Sequence, residues 1–213
     1  MTGNNDLLVK VCGITRQEDA DMCVEMGVDM IGFIFHPASP RNISVEMAKS
    51  IDTGGLMRVG LFVDQPKEDV IRILREAELH LAQLHGDQDV SFCDYVGKRR
   101  VMRVFWPDRY ERLDEFKEEL GRFADSARFY LFDSGTGGGG HGKRISCSCA
   151  AGDKGQKTWL LAGGLNPDNL EDALRGCRPC GVDLNSGVES APGIKDRDKL
   201  AACMKIINSG KYF

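Results

Sequence analysis

The chain has 213 residues, 42% of them hydrophobic and 28% charged, an ordinary globular composition long enough to bury a sizeable core. A formal net charge of −4 supplies no basic field for nucleic acid or anionic lipid. No apolar run approaches the length of a membrane span, and residues 1–6 are polar, without the charged and apolar regions of a signal peptide. A cytoplasmic location with no membrane partner is expected. The eight cysteines read as reduced, mostly buried thiols, because Cys23, Cys177 and Cys203 sit inside apolar patterns.

Short apolar runs alternate with helical patterns along the chain. The runs occupy residues 7–12, 30–35, 58–63, 79–84, 101–106, 128–132, 158–162 and 180–184. Each is rich in Val, Ile, Leu or Phe, as suits strands covered on both faces. After the first, Thr15-Arg16-Gln17-Glu18 has capping-box spacing. After the second, Ser44 opens a helix. Pro66 stands at the start of the next, followed by the stripe Val70, Ile73, Leu74, Ala77. Leu113, Phe116, Leu120 and Phe123 make a further stripe, and Pro167, like Pro66, stands where a first helical residue is expected, ahead of the stripe Leu170, Ala173, Leu174 and Cys177. Leu200, Met204 and Ile207 close the series. Only the connection after Phe132, mostly glycine and polar residues, carries a weak helical pattern.

Units of about 25 residues, each a strand and a helix, predict an α/β fold: a (β/α)8 TIM barrel as a single domain over residues 1–213. An open doubly wound sheet is the rival. Both folds place chemistry at the carboxyl ends of strands. Those ends carry Cys12, His36 with Arg41, Asp64, His85, Arg103, Asp133, Gly163 with Gly164, and Asp183 followed by Asn185, Ser186 and Gly187.

The small-residue loops after strands seven and eight, Gly163-Gly164 and Asn185-Ser186-Gly187, let backbone N–H groups approach an anion, and a phosphate site recurs there in this fold. The plainer alternative is a pair of turns that need glycine. Cys12 reads either as a base or as a buried thiol, Asp133 as an acid or as a loop carboxylate. Arg41 reads as a carboxylate clamp or a surface arginine. His85 reads as a hydrogen-bonded wall residue.

Three patterns are discarded. The glycine run from Gly135 matches G-x-G-x-x-G but follows strand six, not the first strand of a dinucleotide unit. Gly137 to Lys143 matches a P-loop until Arg144 stands where Ser or Thr must hold Mg²⁺. Cys147, Cys149, Cys177 and Cys180 are too loosely spaced for structural zinc. No metal or organic cofactor is expected.

Several segments resemble the phosphoribosylanthranilate isomerase family of tryptophan biosynthesis. They are Val9-Lys-Val-Cys-Gly-Ile-Thr15, Gly32-Phe-Ile-Phe35 with Ser39-Pro-Arg41, Val59-Gly-Leu-Phe-Val63, Gln83-Leu-His-Gly86, Leu131-Phe-Asp133, Leu161-Ala-Gly-Gly-Leu-Asn-Pro167, and Val182-Asp-Leu-Asn-Ser-Gly-Val-Glu189 with Pro192-Gly193 and Lys195-Asp196. They span nearly the whole chain in family order. The resemblance implies a monomeric or homodimeric barrel acting on a small phosphorylated substrate in an Amadori rearrangement. It implies Cys12 as general base, Asp133 as general acid and Arg41 on the anthranilate carboxylate. It implies the loops at Gly163, Gly164, Asn185, Ser186 and Gly187 on the phosphate, with Asp183 lining the same pocket. The chain departs from the family after strand six, where Arg144-Ile-Ser-Cys replaces the usual aromatic anchor, and at Asp64, usually asparagine.

The chemistry needs these groups. Ring opening requires a carboxylic acid still protonated near neutrality, and the resulting iminium lets a poised thiol remove the C2 proton. The related aminoaldose–ketose isomerase of histidine biosynthesis places aspartates at both key strand ends, so Cys12 argues against it. A non-catalytic sugar-phosphate-binding barrel needs neither Cys12 nor Asp133.

Overall fold

A computed structural model describes residues 7–133 and 157–210. Eight parallel strands close in chain order: β1 (Leu8–Val11), β2 (Met30–Ile34), β3 (Met57–Phe62), β4 (Leu81–Leu84), β5 (Val101–Phe105), β6 (Phe129–Asp133), β7 (Thr158–Ala162) and β8 (Gly181–Leu184). The expected (β/α)8 barrel is therefore found, and the open sheet is excluded by the β1–β8 pairing that sets Lys10 opposite Asp183 and Val11 opposite Leu184. Helices α1 (Gln17–Glu25), α2 (Val45–Ser50), α3 (Lys67–Glu76), α4 (Val90–Val96) and α5 (Leu113–Arg122) follow the first five strands. α6 (Leu170–Cys177) follows β7, and α7 (Arg197–Ser209) follows β8. The helix sought after β6 lies outside the described residues. A small antiparallel ribbon, β9 (Glu189–Ala191) with β10 (Ile194–Lys195), stands between β8 and α7. Among the described residues no helix is long and apolar enough to cross a membrane.

Strand residues divide by parity. Met30, Val59, Leu81, Met102, Val104, Leu131 and Leu160 pack together inside the barrel. Their chain neighbours, among them Ile31, Phe62, Ala82, Phe105, Phe132 and Leu161, face the helix stripes, including Val70 and Leu74 of α3 and Leu200 and Ile207 of α7. Burial on both faces explains the continuous apolar runs. The inward parity, carried towards the C-terminal mouth, takes in Lys10, Cys12, Gly32, Gln83, His85, Asp133 and Asp183. Arg103 takes the outward parity, so it does not join the mouth. Its Nη1 instead donates to the carbonyls of Leu84 and Gly86 at 3.0 and 2.9 Å, bracing the turn after β4.

Local start signals hold unevenly. Ser44 Oγ accepts from Met47 N at 3.1 Å and caps α2 as expected. Thr15 does not cap α1. Its hydroxyl donates to Gly193 O at 2.7 Å, and Arg16 takes the cap position without a side-chain capping bond, its guanidinium donating to Asp19 instead. Pro66 is the cap residue of α3 rather than its first helical residue, and α6 begins only at Leu170, three residues beyond Pro167. Cys12, Cys23, Cys93 and Cys203 are free, buried thiols as expected, whereas Cys180 is exposed and Cys177 is disulfide-bonded.

Candidate active site

Cys12 follows β1 at the mouth. Its N–H donates to Leu184 O at 2.8 Å, which fixes the backbone against β8. The side chain is 2% exposed and packs with Ile34 and Leu61. Burial pushes this thiol up, Lys10 pulls it down, Asp183 opposes that pull, and Lys195 adds to it. Burial wins, so the thiol is held above its ordinary value, with Lys10 and Lys195 the groups that favour the thiolate.

Two residues before Cys12, on the same face of the strand, Lys10 is wholly buried. Its Nζ donates to both Asp183 oxygens at 2.9 Å. Burial works against the ammonium, but Asp183 and Cys12 outweigh it and hold Lys10 charged. Burial pushes the Asp183 carboxyl up while Lys10 pulls it down. The paired 2.9 Å contacts fit an ionised bridge. Asp183 thus reaches the mouth as the anchor of Lys10.

Gly13 is the pivot beside Cys12. Its φ is +74°, and a side chain there would fall 2.7 Å from Arg41 Cδ and 2.8 Å from Asn185 Oδ1. Only glycine fits both demands, and its absence of bulk lets the β2 and β8 loops converge. Arg41 Nε donates to the two Glu189 oxygens at 2.9 and 3.1 Å, and Nη2 lies 2.6 Å from Oε2. Lys195, 3% exposed, bonds Glu189 Oε1 at 2.8 Å and Asn185 Oδ1 at 3.0 Å. Burial raises the Glu189 carboxyl, but the hydrogen bonds from Arg41 and Lys195 win and hold it below the usual range. Lys10, Arg41 and Lys195 therefore face Asp183 and Glu189, an excess of positive charge around Cys12 suited to an anionic substrate.

Asp133 ends β6 across the mouth. His85 Nε2 stands 3.6 Å from Asp133 Oδ2. Its ring meets Trp106 edge-on at 5.3 Å, and Gln83 Nε2 approaches its Nδ1 at 3.3 Å. Burial, then Lys10, Arg103 and Arg109, push the imidazole down to about 4. A neutral His85 fits the expected wall residue.

The two glycine-rich loops meet directly. Gly163 and Gly164 have φ of +110° and +64°. A side chain on Gly187 would fall 2.0 Å from Leu165 O, so Gly187 is glycine for loop-to-loop packing. Ser186–Val188 forms a short 3-10 turn after Asn185. His36 Nδ1 and Asp64 Oδ1 lie 3.5 Å apart near the surface.

The structure thus brings Cys12, Arg41, Asp183 and Asn185 to one side of the mouth, Asp183 bonded to Lys10 and Arg41 tied to Asn185 through Glu189 and Lys195, and it brings Asp133 to the mouth beside His85. Lys10, Glu189 and Lys195 carry no role in the sequence reading, although all three stand in its motifs. A lysine inside an apolar strand, in step with Cys12, is the signal that marks Lys10. Two cavities of about 590 Å³ open at the opposite end, the face that supports stability in such barrels. Among the described residues no three His, Cys, Asp or Glu side chains are grouped to hold a metal.

A family model described as N-(5'phosphoribosyl)anthranilate (PRA) isomerase matches residues 9–206. The chain belongs to this family. An N-(5'-phosphoribosyl)anthranilate isomerase of Maridesulfovibrio salexigens is 50% identical over 201 residues, covering 94% of this chain and 98% of that one. The Thermotoga maritima phosphoribosyl anthranilate isomerase structure superposes with a TM-score of 0.84 at 33% identity, over 95% of this chain and 99% of that one. Another family structure, holding reduced 1-(O-carboxyphenylamino)-1-deoxyribulose 5-phosphate, gives 0.80 at 30% identity, with coverage of 95% and 99%. In this isomerase family setting, the mouth around Cys12 and Asp133 is the candidate active site.

Proposed function

We propose that the chain isomerises N-(5-phosphoribosyl)anthranilate to 1-(2-carboxyphenylamino)-1-deoxyribulose 5-phosphate, a step of tryptophan biosynthesis, by acid/base chemistry. The observation that carries it is the pairing of a buried thiol under three cations with a carboxyl group beside a neutral imidazole, inside a barrel of this family. Asp133 protonates the ring oxygen as the anthranilate nitrogen pushes open the C1–O bond. A neutral His85 adds no cation that would hold Asp133 ionised. The iminium acidifies C2, the Cys12 thiolate takes that proton, and the enolamine tautomerises to the ketone.

Arg41, braced by Glu189, takes the anthranilate carboxylate. Gly163, Gly164, Asn185, Ser186 and Gly187 take the phosphate, and Asp183 lines the pocket through Lys10. The reaction moves no electrons to an acceptor, so the proposal includes no metal or cofactor. The working form is a monomer or homodimer in a cytoplasmic setting.

The test is incubation with freshly made phosphoribosylanthranilate, following loss of its fluorescence. Loss in proportion to protein is expected. Binding without loss identifies a sugar-phosphate-binding barrel and overturns the proposal. So does turnover confined to the aminoaldose substrate of histidine biosynthesis.

A further inference from the structure

A charged lysine inside a barrel core is costly. Its ion pair with Asp183 offsets the desolvation but gains little over apolar residues of the same size. Its register partner on β2 is the apolar Met30, and the barrel interior is otherwise built of residues such as Val59 and Leu131, so an apolar residue suits the interior equally well. Packing alone therefore gives no reason for Lys10. Asp183 accepts two of the three N–H donors of Nζ, which leaves one. The charge of Lys10 and the ionisation of Cys12 favour each other: the ammonium pulls the thiol down, and the sulfur helps hold the lysine charged.

Gly32, on the adjacent strand, explains how they meet. A Cβ at position 32 would fall 2.8 Å from Cys12 Sγ and 3.1 Å from Lys10 Nζ. Both groups thus border the space that the missing side chain leaves. The φ of Gly32 lies outside the left-handed region, so glycine is needed there for space and not for backbone freedom.

We infer that Lys10 is the positioning residue of the base: its ammonium, held on Asp183, stabilises the thiolate of Cys12 across the gap left by Gly32. The inference rests on the reading of Cys12 as base. The thiol ionises by releasing its proton to water, and Lys10 stays charged throughout. The thiolate then takes the substrate's C2 proton and returns to thiol. Cys12 also faces Lys195 from β10 and Arg41 from the β2 loop, themselves paired with Glu189. Lys10 additionally faces His85 from β4. Of the charged groups, Lys10 pulls hardest on the thiol, more than Asp183 opposes. Removing both partners of the bridge therefore still disfavours the thiolate, and it leaves no buried charge unpaired.

The experiment compares three proteins: wild type, Lys10→Met/Asp183→Asn, and Gly32→Ala. The Cys12 titration is read from ultraviolet thiolate absorbance, as the difference from Cys12→Ser in each background. Both variants are expected to titrate at least about one unit higher, with kcat at neutral pH down about tenfold per unit. Raising the pH should restore kcat, while KM moves little. A folded double variant with a wild-type titration and pH profile overturns the inference. If that variant does not fold, an unshifted Gly32→Ala overturns it alone. Should Cys12→Ser keep its kcat, the base reading fails, while the titration still decides whether Lys10 acts on the sulfur.

Discussion

The Arg41 guanidinium meets the Glu189 carboxylate along one edge, with Nη2 only 2.6 Å from Oε2. Lys195 holds the same carboxylate from the other side and bonds Asn185 in turn. The edge made by Nε and Nη2 is thus occupied, which fixes the plane of the group and leaves Nη1 to meet a ligand. A long side chain held this way loses little further freedom when a substrate carboxylate arrives. The same bonds tie the proposed carboxylate clamp to the loop proposed for the phosphate.

Glu189→Gln should keep the shape but lose the charge that aligns Arg41. The expected result is a KM raised about tenfold, the cost of one weakened charge-assisted hydrogen bond, with kcat within about threefold. Steady-state kinetics with a melting check decides it. An unchanged KM removes Glu189 from substrate binding.

Acid should destabilise the fold in two windows. His85 has its folded pKa pushed down to about 4, against about 6.5 unfolded. The unfolded chain takes up that proton first, so stability falls as pH drops from about 6.5 towards 4. Glu189 is also held below its ordinary value. Its contribution is present above about 4.3 and is lost as pH falls through the lower folded value. Urea midpoints measured between about pH 7 and pH 5 should decline less in His85→Gln than in wild type. Equal declines show that His85 is not buried neutral.

The glycine loops separate into two kinds of effect. Gly164→Asp places a fixed negative charge, and a side chain at a φ of +64°, beside the proposed phosphate. KM should rise strongly, and inhibition by inorganic phosphate should weaken in parallel. Gly187→Ala drives a methyl group into Leu165 O, 2.0 Å from where the Cβ must sit. It should lower the melting temperature first. A Gly164→Asp protein with unchanged KM and intact folding counts against phosphate at these loops.

The barrel is legible in the sequence because its strands are buried on both faces, so runs such as 101–106 and 158–162 announce themselves. Helix starts are less legible, since distant bonds override local ones: the Thr15 hydroxyl reaches Gly193 rather than its own helix. Arg103 shows the cost of ignoring parity, one residue off the inward register of Met102 and Val104. At the site, the strand-end position of Cys12 and Asp133 follows from the runs alone. The supporting groups do not, because Lys10 joins Asp183 across 173 residues and Arg41 joins Glu189 across 148. Spacing along the chain carries no trace of such pairs, which arise only when the barrel closes.

The division of labour between Cys12 and Asp133 is the sharpest test of the proposed chemistry. Cys12→Ser nearly preserves shape but replaces an ionisable thiol with a hydroxyl that stays protonated at any working pH. Removal of the C2 proton should therefore collapse. Asp133→Asn keeps a hydrogen-bonding group of the same size but cannot deliver a proton, so ring opening should collapse instead. Each change should lower kcat by about 10²-fold or more, with KM changed far less, because positioning and phosphate contacts remain. A reduced analogue of the product needs neither proton transfer, so both variants should bind it nearly as wild type does. Circular dichroism must show both folded before the kinetics are read. A folded Cys12→Ser with near-normal kcat leaves Cys12 as a buried thiol packed on Ile34 and Leu61. A folded Asp133→Asn with near-normal kcat makes Asp133 a wall carboxylate beside His85, and the ring-opening proton must then come from another group at the mouth.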